Sequence, residues 1–171
     1  TFNSLKRKQN LLDYSDMEQL AYQILTSDTT AGHLARQFYQ NKFTEILVDE
    51  YQDINKLQER IIQLMKCEHN NLFMVGDVKQ SIYGFRQADP SLFLNKYQKF
   101  AEDSSSKRIV LADNFRSTKP VTKIVNKLFN PLLTPDFGVI DYQNECQIKF
   151  GASYYPDNLP EASELIFYDK S

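Results

Sequence analysis

Apolar residues along this 171-residue chain recur at two spacings, and their alternation predicts the architecture. Met17, Leu20, Ala21, Ile24 and Leu25 follow helical spacing behind Ser15-Asp16-Met17-Glu18, a capping-box pattern, so a helix with one buried face is expected. A second helix is expected over 32–41, with Leu34, Ala35 and Phe38 inward. The run "EILV" is short, continuously apolar and partly β-branched, which suits a strand covered on both faces. A helix over 55–66 places Leu57, Ile61, Leu64 and Met65 on one side, and "NLFMV" reads as a second buried strand running into Gly76-Asp77. Behind Pro90, the residues Phe93, Leu94, Tyr97 and Phe100 mark another amphipathic helix.

The polar run "EDSSSK" interrupts this alternation and predicts a linker, dividing the chain into 1–103 and 104–171. "RIVLA" is then a third strand, ending at Asp113-Asn114. Val121, Ile124, Val125 and Leu128 form one face of a helix with Pro120 in its first turn. The pattern weakens over 131–160, which is expected to be irregular, and "ELIFYD" looks like one more strand. Helices alternating with apolar strands predict an α/β fold, a mainly parallel sheet flanked by helices.

Composition adds exclusions. Twenty basic and 22 acidic residues nearly cancel, so a nucleic-acid partner would have to be held locally. Cys67 and Cys146 form no disulfide framework and suit a reducing cytosol, hence a cytoplasmic location. Cys67-Glu68-His69 matches no zinc spacing, and no apolar run approaches a membrane span.

Candidate chemistry gathers at the predicted strand ends, where open parallel sheets bind ligands. Asp49 and Glu50 follow the first strand, Asp77 and Gln80 the second, Asn114 and Arg116 the third. A divalent cation would explain the crowded acids, since Mg²⁺ takes one or two carboxylates plus substrate phosphates, leaving the other acid to orient or deprotonate a water. The plainer alternative is that one acid caps the following helix and the other is solvated. In "GDVKQSIYGFRQADP" the aromatics Tyr83 and Phe85 are interleaved with Arg86, which suits stacking on unpaired bases; alternatively the two rings are core residues at strand spacing. "LADNFRST" offers Phe115 as a flat surface and Arg116 as a phosphate-reading cation, or simply opens a helix.

Taken together, "ILVDEYQD", "GDVKQSIYGFR" and "LADNFRST" resemble the Walker B, third and fourth motifs of superfamily 1 helicases of the UvrD/Rep/PcrA type. "LFMVGDVKQSIYGFRQADPSLFLNKY" looks most like the AddA subunits of bacterial AddAB helicase–nucleases, and "LDYSDMEQLA" and "VIDYQNECQIKFGASYYP" resemble their flanking regions. The resemblance implies a RecA-like P-loop NTPase core fragment: the end of a first RecA-like domain over 1–103 and the start of a second over 104–171. It implies ATP and Mg²⁺, single- and double-stranded DNA, and an AddB-like partner protein. Asp49 would hold Mg²⁺, Glu50 activate the hydrolytic water, Gln80 sense the γ-phosphate and Arg116 act as an arginine finger. Phe115 would stack on adenine, with Asp77 and Asn114 among the nucleotide-facing residues. Tyr83, Phe85 and Arg86 would couple nucleotide state to single-stranded DNA. In many relatives the Phe85 position is Trp and the Phe115 position Tyr.

The chain departs from the pattern in having five glycines and no Gly-x-x-x-x-Gly-Lys-Ser/Thr phosphate loop. The expectation is therefore a piece of the motor that hydrolyses ATP poorly on its own. The alternatives are a UvrD-type repair helicase without a nuclease and a non-catalytic module that keeps the strands as a scaffold.

Overall fold

The apolar run ahead of Asp49 forms β1 (Glu45–Val48), which pairs in parallel with β2 (Asn71–Met74), Val48 opposite Met74. The pairing continues past both strands, because Val75 N–H donates to Val48 O and Tyr51 N–H donates to Val75 O, each at 2.9 Å. A parallel pair needs a crossover, here α4 (Lys56–Met65). Asn55 caps α4 in a reciprocal box with Gln58. The computed structural model describes residues 2–138, 140–156, 158–160, 164, 166, 168 and 169 and divides into two units, Thr1–Lys107 and Arg108–Ser171.

In the first unit, α1 (Phe2–Lys8) precedes α2 (Tyr14–Thr26), which packs against α3 (Thr30–Lys42) and α4. The capping box of α2 is Asp13 with Asp16, so the helix begins before the expected Ser15. Lys6 is what stabilises two acids there, reaching Asp13 at 2.9 Å and Asp16 at 2.6 Å. The inward stripe of α2 is Glu18, Ala21, Tyr22 and Leu25, while Met17, Leu20 and Ile24 are exposed. Glu18 turns inward because its carboxylate accepts from Gln58 Nε2 at 2.7 Å and Asn55 Nδ2 at 3.4 Å. In α3, likewise, Gly32, Ala35, Arg36 and Gln40 face inward, and Leu34 and Phe38 do not. β1 is covered on one face among the described residues: Leu47, 69% exposed, lies opposite exposed Phe73 on the other. The helix behind Pro90 forms as expected, α5 (Pro90–Glu102), with Phe93, Leu94, Tyr97 and Phe100 half-buried.

In the second unit the expected strand "RIVLA" is absent among the described residues; Ile109, Val110 and Leu111 are exposed and unpaired by any ladder. The strand is instead β3 (Asp113–Asn114), parallel to β4 (Lys149–Phe150). Helix α6 (Lys119–Leu132), with Pro120 in its first turn, buries Thr122 and half-buries Ile124, Val125 and Asn126, whereas Val121 and Leu128 are exposed. Asn126 turns inward for its hydrogen bonds: it donates to Ile148 O at 2.8 Å and accepts from Tyr142 Oη at 2.8 Å and Ile148 N–H at 3.1 Å. Between them lie a short α7 (Pro135–Gly138) and a π-type turn, Tyr142–Cys146. The strand expected in "ELIFYD" rests on Leu165 and Phe167, which lie outside the described residues. Among the described residues, no helix is long and apolar enough to cross a membrane.

Candidate active site

Parallel pairing puts the carboxyl ends of β1 and β2 side by side, so Asp49 and Glu50 share one sheet edge with Asp77 and the turn that carries Gln80. Asp49 is exposed; its Oδ1 accepts from Glu50 N–H at 2.9 Å, and its Oδ2 has no hydrogen-bond partner among the described residues. Glu50 is exposed and adopts a left-handed backbone, φ 50° and ψ 43°. A non-glycine residue there is under local strain, of order 1–3 kcal/mol, and persists only where its surroundings hold it. Neither acid caps α4, a task done by Asn55, and Glu50 precedes the turn Tyr51–Asp53 without a capping side-chain bond, while both acids are solvated as the plainer reading has it.

The holding group is the turn Tyr51–Asp53. Tyr51 is fully buried and donates its hydroxyl to Glu59, which also pairs with Lys96 at 2.8 Å and accepts from Gln63 at 3.1 Å. Burial, then the Glu59 carboxylate, pushes the Tyr51 hydroxyl well above its ordinary range. Gln52, 1% exposed, donates from Nε2 to Glu50 Oε2 at 2.8 Å and accepts at Oε1 from Asp77 N–H at 2.9 Å. Gly76 leaves room for this amide, since a Cβ there would lie 2.6 Å from Gln52 Oε1.

Asp77 in turn organises its own loop. It takes Lys79 Nζ at 2.7 Å and Gln80 Nε2 at 3.0 Å, and Lys79 N–H donates to it at 3.1 Å. Burial pushes its carboxyl up, but the hydrogen bonds and the ammonium outweigh that and hold it below the usual carboxylate range. Gln80 is exposed, held at the edge through Asp77.

Beyond Ser81 the loop makes a short turn, Gly84–Arg86, so Tyr83 and Phe85 are neither in a strand nor in a core. Phe85 is 78% exposed, and the Arg86 guanidinium lies over both rings, 5.4 Å from the Tyr83 centroid and 5.6 Å from that of Phe85. Tyr83 and Arg86 also line a cleft of about 300 Å³ with Asp53, Asn55 and Gln58.

In the second unit, Asn114 Oδ1 accepts from Arg116 N–H at 3.1 Å and Ser117 N–H at 2.7 Å, a side-chain turn that projects Phe115 and Arg116 outward. Tyr154 and Tyr155 pin the same segment by donating to the backbone oxygens of Phe115 and Arg116. The Phe115 ring packs on Gly151, where a Cβ would meet it at 2.9 Å. Asn114 is thus already engaged in shaping the turn.

Residues 1–101 match the UvrD/REP helicase N-terminal domain. The chain belongs to the UvrD/REP helicase family. It is 68% identical to the A subunit of the ATP-dependent helicase/nuclease of Lactobacillus helveticus, over 99% of this chain and 14% of that protein. The proteins of the same name from Lactobacillus delbrueckii subsp. bulgaricus and Pediococcus pentosaceus are 58% and 46% identical, over 99% and 97% of this chain and again 14% of theirs. The chain therefore spans about one seventh of the length of these relatives. In this UvrD/REP chain, the segment matched to the domain holds Asp49, Glu50, Asp77, Gln80, Tyr83, Phe85 and Arg86, while Phe115 and Arg116 lie beyond it.

Sequence reasoning missed Gln52 and Gly76. Gln52 stands inside the quoted run "ILVDEYQD", and a polar residue fixed between two acids was the available signal. Gly76, one residue before Asp77, marks the close approach of Gln52 to the strand end.

Proposed function

We propose that this chain is the hydrolytic segment of an ATP-dependent helicase/nuclease that moves along single-stranded DNA and serves repair and recombination of broken duplexes. The observation that carries the reading is the sheet edge where exposed Asp49 and strained Glu50 stand beside the Asp77–Gln80 turn, on the loop that continues into exposed Phe85 and Arg86. The pairing of β1 with β2, and the short loop beyond Gln80, thus bring acids suited to phosphate chemistry near rings suited to base stacking. The 1–103 and 104–171 segments are read as parts of two RecA-like domains, with an AddB-like partner bound elsewhere in the full-length protein.

Asp49 fits a hard cation, being exposed with one carboxylate oxygen uncommitted among the described residues. Mg²⁺ held there would neutralise charge on the ATP phosphates. Glu50, its carboxylate fixed by Gln52, accepts the proton of the attacking water. Gln80 is neutral and reaches toward the terminal phosphate without repelling it. Phe115 and Arg116 are assigned to adenine and to the transferred phosphate, on the resemblance of their segment.

The residues present account for the metal and water side of such a site; the chain has no phosphate loop to cradle the nucleotide. The test is ATP turnover by the purified full-length protein with and without single-stranded oligonucleotide. DNA-stimulated turnover is expected. DNA binding with no turnover would instead favour a non-catalytic helicase-like module.

A further inference from the structure

Gln52 is the most buried polar side chain on the edge, and both ends of its amide are committed. The Asp77 backbone N–H can only donate, so it fixes Oε1 toward β2 and leaves Nε2 to face the Glu50 carboxylate. Nε2 lies 2.8 Å from Glu50 Oε2 and 3.4 Å from Asp53 Oδ2. Gln52's own backbone oxygen accepts from Ser81 Oγ at 3.4 Å, on the loop leading to Tyr83 and Phe85. One residue thus touches Glu50, the start of the Gln80 turn and the start of the aromatic loop.

We propose that Gln52 is a positioning residue for hydrolysis: its buried amide clamps the Glu50 carboxylate to the backbone of Asp77, so that the water-activating group and the Gln80 turn move as one body. The proposal rests on the reading of Glu50 as the base and adds what aims it. Glu50 is exposed on a strained backbone, and Gln52 Nε2 is the side-chain donor that fixes its carboxylate among the described residues. Without that bond the carboxylate would sample other rotamers and lose its alignment to the water. Glu50 would still be present, and Asp49 and Gln80 untouched, so nucleotide should bind as before.

A general base contributes about 10²–10⁴-fold to rate, so a misaimed one should forfeit about tenfold or more. The test uses the full-length protein and three variants: Gln52→Met, which keeps length and removes both hydrogen bonds; Gln52→Glu, which keeps the acceptor for Asp77 N–H but sets a carboxylate against Glu50; and Glu50→Gln. Turnover with saturating DNA is measured beside equilibrium binding of a fluorescent ATP analogue. Both Gln52 variants should lose about tenfold or more in kcat with nucleotide affinity nearly unchanged, and Gln52→Met should cost nothing further when added to Glu50→Gln. Should Gln52→Met fail to fold, the Gln52→Glu result decides alone.

Wild-type turnover in the Gln52 variants, with Glu50→Gln inactive, would overturn the clamp and leave the base standing. Nucleotide affinity falling in parallel with kcat, or a loss that adds to that of Glu50→Gln, would reduce Gln52 to a structural residue and equally overturn it. Full activity in Glu50→Gln would instead remove the reading on which the clamp rests.

Discussion

Replacing Phe85 with alanine should weaken single-stranded DNA binding without weakening the fold. The ring is 78% exposed on a turn of three residues, so its removal leaves no cavity. Its neighbours are Tyr83, whose centroid is 5.8 Å away, and the Arg86 guanidinium at 5.6 Å. A lost base stack is worth about 1–3 kcal/mol. At about 1.4 kcal/mol per decade, the dissociation constant should rise by roughly 5- to 150-fold. The upper end applies if Arg86, no longer resting on a ring face, also loses its orientation toward the strand. Anisotropy titration of a labelled oligothymidylate against the full-length protein measures this, at one fixed salt concentration because phosphate contacts are salt-sensitive. The DNA concentration giving half-maximal ATPase stimulation should rise by the same factor. Phe85→Trp should bind as tightly as the parent or tighter, since the larger ring keeps the stack. An alanine variant whose affinity and half-stimulating concentration stay within about twofold of the parent would refute the stacking role.

Gly76→Ala should destabilise by about 1–3 kcal/mol, because its Cβ would sit 2.6 Å from Gln52 Oε1 and 3.1 Å from Tyr51 N; a lowered thermal midpoint together with lost turnover checks it. Asn114→Ala releases two backbone N–H bonds at about 0.5–1.5 kcal/mol each, and should raise amide exchange at Arg116 and Ser117. Asp77 has a folded pKa below its ordinary 3.8, so its stabilising contribution is complete above that value and is lost as the pH falls through the lower folded one. Asp77→Asn should therefore flatten the acid limb of a plot of thermal midpoint against pH, and an unchanged slope would contradict the assignment.

The pairing of β1 with β2 through α4 was legible because short apolar runs and amphipathic spacing are local properties of the chain. The inward faces of α2 and α3 were not. Glu18, Arg36 and Gln40 turn inward because hydrogen bonds to distant residues satisfy them, which a periodicity count scores as solvent-facing. Met17, Leu34 and Phe38 have the right period, yet period reports which positions are apolar and not what covers them. "RIVLA" is strand-like in composition, but a strand exists only with a neighbour, and among the described residues pairing begins only at its last residue, where Lys149 N–H reaches Ala112 O. The acids, Gln80 and the exposed rings stood out as residue types out of place. Gln52 did not, since burial of a glutamine is decided by the Glu50 and Asp77 groups it joins.

If Glu50 is the hydrolytic base of a DNA-driven motor, steady-state ATP hydrolysis by the full-length Glu50→Gln protein at saturating DNA must show it. The change keeps size and shape and removes the basic oxygen, so turnover should drop by about 10²-fold or more while ATP-analogue and oligonucleotide affinities hold. Hydrolysis at the parental rate by a folded, nucleotide-binding Glu50→Gln protein would contradict it.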